Sequence, residues 1–98
     1  MDPKDTISEL WQVIEERFAH PSEQSYVSSL ARDPKGIDRI LEKVAEESTE
    51  FILAVKNGIH ERAVAEAADL FFHYLIALRS AGLSYDEVLQ ELTRRRRT

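Results

Sequence analysis

A chain of 98 residues is one domain at most, and 43% hydrophobic with 32% charged residues describes a globular domain, not a disordered one. Without cysteine it has neither a disulfide framework nor a thiolate metal site. A net charge of −5 argues against general nucleic-acid binding, and no stretch approaches the roughly 18 apolar residues of a membrane-spanning helix. The start, Met1-Asp2-Pro3-Lys4-Asp5, is charged and carries no apolar signal region. The expectation is a single cytoplasmic domain over residues 1–98, with neither nucleic acid nor membrane as a partner.

No run alternates with period two, so the expected fold class is all-α, a helical bundle of about four to five helices. The first helix spans about Ile7 to Ala19. Ile7, Leu10, Trp11, Ile14 and Phe18 follow the helical repeat, which makes Trp11 and Phe18 packing residues. Thr6 with Glu9 reads as a capping box. His20-Pro21-Ser22 breaks the pattern, and a short helix follows from about Gln24 to Leu30. Arg32 to Gly36 is a loop.

The second long helix runs from about Ile37 to Lys56. Asn57-Gly58 ends it, both residues tolerating the left-handed conformation of a helix terminus. The third long helix runs from about His60 to Ser80 and stops at Gly82. Ser84 with Glu87 is a second capping box, opening a last helix from about Tyr85 to Thr93. The arginine run Arg94 to Arg97 is expected to be solvated and without a functional role.

The third long helix is apolar at nearly every position between Ala63 and Leu78. Such a helix belongs at the centre of a bundle. A chain this small struggles to cover it on every side, so a homodimer is expected. The exceptions, Arg62, Glu66, Asp69, His73 and Ser80, fall on one narrow stripe. Charges on a mostly buried helix cost several kcal/mol unless paired or metal-bound. On the second long helix Ile40, Val44, Phe51 and Val55 share a face. Glu47 lies at the edge of that arc, Glu50 about 60° further out, and Glu46 further still.

The two helices thus carry E-E-x-x-E, a tight turn, then E-x-x-D: Glu46, Glu47 and Glu50 opposite Glu66 and Asp69. Carboxylates at i,i+3 spacing on two adjoining helices can converge on one point. Their repulsion is normally neutralised by a cation, and all-oxygen ligation suits Mg²⁺ or Mn²⁺. A hard divalent ion in turn suggests a phosphorylated substrate. The plainer alternatives are a solvated acidic face for Glu46, Glu47 and Glu50, and ion pairs to Arg62 or Lys43 for Glu66 and Asp69.

These residues resemble the phosphoribosyl-ATP pyrophosphohydrolases over almost the whole chain. The resemblance begins at Leu10-Trp11-Gln12-Val13-Ile14-Glu15-Glu16-Arg17 and passes through Ser25-Tyr26-Val27-Ser28-Ser29-Leu30. It is strongest from Ile40 to Glu50, and continues in Glu66-Ala67-Ala68-Asp69-Leu70-Phe71-Phe72-His73 and in Gly82 to Leu89. The acidic motifs alone are shared by the wider all-α nucleoside-triphosphate pyrophosphohydrolase superfamily. The Ser25-Tyr26 segment and the Gly82-Leu83-Ser84 ending narrow the match. One departure is Ala45, where the family usually has Gly within K-V-G-E-E; alanine is the better helix former by about 1 kcal/mol.

The resemblance implies hydrolysis of phosphoribosyl-ATP to phosphoribosyl-AMP and pyrophosphate, the second step of histidine biosynthesis. It also implies an all-α homodimer with a Mg²⁺ requirement. Glu47, Glu50, Glu66 and Asp69 are the expected metal ligands. Glu46 is either an outer-shell residue or the base that orients the attacking water, with Glu47 the other candidate in the catalytic set. Lys43, Arg32 and Lys35 are candidates for phosphate contacts, with a plain surface role the alternative for Arg32 and Lys35. Ser25 and Tyr26 are candidates for contacts to the nucleotide, with a core role the alternative for Tyr26. His73 is expected to hydrogen-bond a carboxylate and hold its orientation. Competing readings are a housekeeping pyrophosphohydrolase acting on free or non-standard nucleoside triphosphates and a di-iron carboxylate bundle. The latter normally shows Glu-x-x-His twice, whereas Glu-x-x-Glu and Glu-x-x-Asp stand here.

Overall fold

A computed structural model describes residues 5–96. Among the described residues there are five helices and no strand: α1 (Thr6–Ala19), α2 (Tyr26–Ala31), α3 (Ile37–Lys56), α4 (His60–Ser80) and α5 (Tyr85–Arg94). The two long helices begin and end where their hydrophobic pattern and turn residues require. They form an antiparallel pair that provides the main packing surface of the fold. Gly58, at φ 69°, lets the chain leave α3. Its N–H donates to the Val55 carbonyl and the Ile59 N–H to the Ala54 carbonyl, closing the last turn. Asn57 stays right-handed at φ −84°, so glycine alone makes the left-handed step.

The caps decide the shorter elements. Ser84 is extended, its hydroxyl accepts the Glu87 N–H, and the Glu87 carboxylate accepts the Ser84 N–H, so the expected box is formed. Ser25 caps α2 in the same extended conformation, with its hydroxyl accepting from Ser28 N–H at 3.1 Å. That moves the start of α2 to Tyr26, two residues later than the sequence pattern suggests. The Thr6–Glu9 box does not form. The capping position is Asp5, which has helical dihedrals (φ −88°, ψ −6°) and makes no side-chain cap. A cap needs an extended backbone to turn its side chain back onto the free N–H groups.

Ile14, Val27, Leu30, Ile40, Leu75, Ile76 and Leu78 form the buried core, drawn from α1 to α4. Trp11, Phe18, Phe72, Tyr85 and Val88 pack against it. The Trp11 and Tyr85 rings lie 6.1 Å apart, and the Arg79 guanidinium sits 4.9 Å above Phe18. Within the single chain α4 is left uncovered along one side, as expected of a chain this small: Val64 is 58% exposed and Phe71 49%. The described residues provide too few elements to surround the helix, so one side of it stays open.

The inward face of α3 is also shifted. Its buried residues are Ile40, Glu47 and Ala54, while Val55 is half exposed. A spacing of seven residues returns to within about 20° of the same direction. Glu47 therefore lies in the middle of the buried stripe, not at its edge.

Candidate metal centre

On α4 two members of the polar stripe, Glu66 and His73, turn inward, while Arg62 and Asp69 stay exposed. Glu66 is 9% exposed and His73 5%, and the stripe packs against the side of α3 that carries Glu47, itself 7% exposed. One ligand oxygen from each of Glu47, Glu66 and Asp69 lies within 4.8 Å of the others. Glu50, exposed and one turn along α3, lies outside this group, as does exposed Glu46.

Two cations flank the cluster without satisfying it. Lys43 Nζ is 3.4 Å from Glu47 Oε1 and 3.1 Å from Glu46 Oε2. Its hydrogen bond to Glu46 is the largest influence holding the ammonium above the ordinary lysine range, with that to Glu47 adding to it. On the other side Arg62 lies 3.4 Å from Glu66 Oε1. The second oxygens, Glu47 Oε2 and Glu66 Oε2, are buried and have no hydrogen-bond partner. A buried carboxylate oxygen left unpaired costs at least about 1–3 kcal/mol. Two of them from facing helices, beside a third carboxylate, form a donor set that a cation would complete.

The group fits a hard divalent ion on chemistry and on size. All donors are carboxylate oxygens. Around an ion at about 2.1 Å, neighbouring octahedral ligands lie about 3 Å apart and opposite ones about 4 Å.

The other expected site residues divide in two. Tyr26 and His73 join the neighbourhood. The Tyr26 hydroxyl is 2.8 Å from His73 Nε2, and His73 Nδ1 is 2.7 Å from the Asp69 backbone carbonyl. The expected carboxylate partner of His73 is thus replaced by a backbone oxygen of the same helix, because residues four apart stack along the axis. Burial is the main influence raising the Tyr26 hydroxyl above the ordinary tyrosine range, opposed by Lys43 and then Arg39.

Ser25, Lys35 and Arg32 have other placements. Ser25 is committed to capping α2. Lys35 is paired with Glu42 at 2.6 Å, and Arg32 is an exposed residue at the end of α2. Arg39 is a cation that the sequence reading did not single out. It lies 3.5 Å from Glu42 and 3.8 Å from Glu46, four residues before Lys43 on the same side of α3. That i,i+4 spacing was the available signal. At the C-terminus Arg94 and Arg95 both pair with Glu91; Arg97 lies outside the described residues.

A second feature marks the opposite edge of the α3–α4 pair. Val44, Ser48, Phe51, Ala67, Leu70, Phe71 and Tyr74 line an open, apolar groove of about 460 Å³. No helix among the described residues is long and apolar enough to cross a membrane.

Fold and site together define an all-α protein with a half-buried carboxylate cluster of the kind that could hold a metal ion. Comparison with known proteins makes this particular: the chain belongs to the phosphoribosyl-ATP pyrophosphohydrolase family, whose model matches residues 7–96. A phosphoribosyl-ATP pyrophosphatase of Methanoregula boonei is 63% identical over 93% of this chain and 88% of its own length. Proteins of the same name from Methanoculleus marisnigri and Methanosphaerula palustris are 57% and 59% identical. Those matches cover 93% and 94% of this chain, and 94% and 93% of the relatives.

Proposed function

We propose that this chain hydrolyses phosphoribosyl-ATP to phosphoribosyl-AMP and pyrophosphate, the second step of histidine biosynthesis, and that it does so with Mg²⁺, or Mn²⁺ in its place. Family membership over residues 7–96 supports the reaction. The observation that supports the metal is the pair of buried, unpartnered oxygens on Glu47 and Glu66 beside Asp69.

In this reading Glu47, Glu66 and Asp69 hold the ion, and Glu50 swings in from the next turn of α3 to complete the set. A bound divalent ion neutralises charge on the phosphate oxygens and on the pyrophosphate leaving group. Lys43 already touches Glu47, so its ammonium lies at the edge of the cluster and would be a cation for a phosphate brought there. Glu46 steadies Lys43 and Arg39 from outside, which favours the outer-shell role for it over the role of base. Burial of Glu47 and Glu66 strengthens the interactions that these two carboxylates make.

The reading also takes the protein to be a cytoplasmic, single-domain homodimer. The occupant of the apolar groove is a second copy of the chain. Phe71 and Tyr74, which line that groove, are exposed, and so are Val64 on α4 and Ile52 and Val55 on α3, the apolar surface that a second copy would cover.

The direct test is pyrophosphate release from purified protein given phosphoribosyl-ATP, with Mg²⁺ and with chelator. Release only with the ion is the expected result. Equal rates on ATP and other common triphosphates would turn the reading toward a general nucleotide pyrophosphohydrolase.

A further inference from the structure

The two long helices carry the same device at the carboxylate cluster. On each, a cation stands four residues before a buried carboxylate: Lys43 before Glu47 and Arg62 before Glu66, both at 3.4 Å. Residues four apart share a helix face, so each cation reaches its carboxylate. In both pairs Oε1 takes the cation, while Oε2 is buried without a hydrogen-bond partner. Each cation therefore offsets part of the charge that a divalent ion would neutralise.

The pairs differ in what else holds the cation. Lys43 is also tied to Glu46 at 3.1 Å, and its side chain is only 18% exposed. Arg62 has no ion-pair partner besides Glu66 among the described residues, and its side chain is 62% exposed. Its contact with Glu66, at 3.4 Å, is longer than the about 2.7–2.9 Å of a good charge-assisted hydrogen bond. The guanidinium fork thus keeps free donors, on a side chain that solvent leaves room to turn. Lys43 is anchored, and Arg62 is the cation that can let go.

A divalent ion at Glu66 competes with Arg62 for one carboxylate, because two cations on the same group repel. The ion alone displaces the guanidinium into solvent and leaves it unpaired. A phosphate on that ion changes the balance. It brings anionic oxygens beside Glu66, both being ligands of one ion, and a guanidinium binds phosphate through two parallel hydrogen bonds.

We infer that Arg62 stands in for the metal's charge at Glu66 while the cluster is empty and passes to the phosphate when a metal-bound di- or triphosphate arrives, so that ion and phosphate bind together in preference to the ion alone. The inference rests on the proposed metal site. Such coupling is reciprocal: the phosphate tightens the ion by the same factor as the ion tightens the phosphate.

Two binding measurements read the two halves of the transfer, with opposite signs. Mn²⁺ alone is titrated into the protein and followed by the electron spin resonance of the free ion. Arg62→Gln should bind it about two- to fivefold more tightly than wild type, the range of an exposed ion pair. Pyrophosphate is titrated by calorimetry into protein saturated with Mg²⁺. Arg62→Gln should bind it about tenfold more weakly, the worth of one hydrogen bond to a charged group. Arg62→Lys keeps the charge without the fork, so it should hold the wild-type affinity for Mn²⁺ and recover pyrophosphate binding only in part. Melts in chelator check that both variants are folded.

An ordinary surface ion pair would leave both affinities unchanged, and a residue needed only for the fold would weaken both. Either result overturns the inference, as does a shift in one affinity without the other. A wild-type protein that binds no Mn²⁺ overturns the inference and the metal reading together. Opposite shifts in a protein inactive on phosphoribosyl-ATP would uphold the inference and remove only the assigned substrate.

Discussion

Glu47 and Glu66, from facing helices, each hold one carboxylate oxygen buried and without a hydrogen-bond partner, while their other oxygens are paired with Lys43 and Arg62 at 3.4 Å. Neither cation reaches both carboxylates. The arrangement leaves a deficit of positive charge at the seam between α3 and α4, and this deficit underlies the behaviour expected of the protein in solution.

Millimolar Mg²⁺ or Mn²⁺ should raise the melting temperature, by a stabilisation of about 1–3 kcal/mol at saturating ion, because the ion binds only the folded cluster. In Glu47→Gln/Glu66→Gln the gain should disappear. The double variant in chelator should be no less stable than wild type, since two amides repel less than two carboxylates. Thermal melts of both proteins, with each ion and with chelator, check this; melts of wild type indifferent to the ions would leave the cluster a structural feature only.

The individual ligands should rank by placement. Glu47→Gln, Glu66→Gln and Asp69→Asn should each lower the rate of pyrophosphate release about 100-fold or more, several kcal/mol of charge stabilisation being at stake. Glu50 is exposed and outside the group. Glu50→Gln should weaken metal affinity less than Glu66→Gln does, measured by Mn²⁺ titration. The reverse ranking would mean that the ion sits nearer the end of α3.

Lys43 gives a pH dependence with a definite sign. Its ammonium is held above the ordinary value, first by Glu46 and then by Glu47, so the folded state favours the charged form. The stabilisation is fully present below the unfolded-state value of about 10.5 and is lost as pH rises through the higher folded value. Urea unfolding in chelator should show Lys43→Met less stable than wild type at pH 7, with the difference shrinking above about pH 10.5. A difference that grows in alkali would mean that the lysine is not engaged by these carboxylates.

Phe71 lines the apolar groove and is half exposed in the protomer. Sedimentation at micromolar concentration should find wild type as a dimer and Phe71→Asp shifted to monomer, because a desolvated, unpaired carboxylate at the interface costs several kcal/mol. A stable, well-folded wild-type monomer would refute the assignment of this face.

Much of the fold is legible in the chain itself. The limits of α3 and α4, the Ser84–Glu87 box and the glycine exit at Gly58 follow from local rules, since each depends on residues within one or two turns. So does the placing of two acidic motifs on adjoining helices across one tight turn, from which the structure brings Glu47, Glu66 and Asp69 together. What the chain alone left open depends on where helices meet. Glu47 reads as an edge residue on a wheel, yet becomes the centre of a buried stripe, because the contact line between α3 and α4 follows Ile40, Glu47 and Ala54. The same contact line admits Asp69 to the cluster and leaves Glu50 outside it. His73 finds a backbone oxygen and Tyr26, 47 residues away in sequence, instead of a carboxylate. Sequence determines which groups a helix offers at each angle; only packing decides which of those angles point at one another, because interaxial geometry is set by the summed shape of all the side chains between the helices.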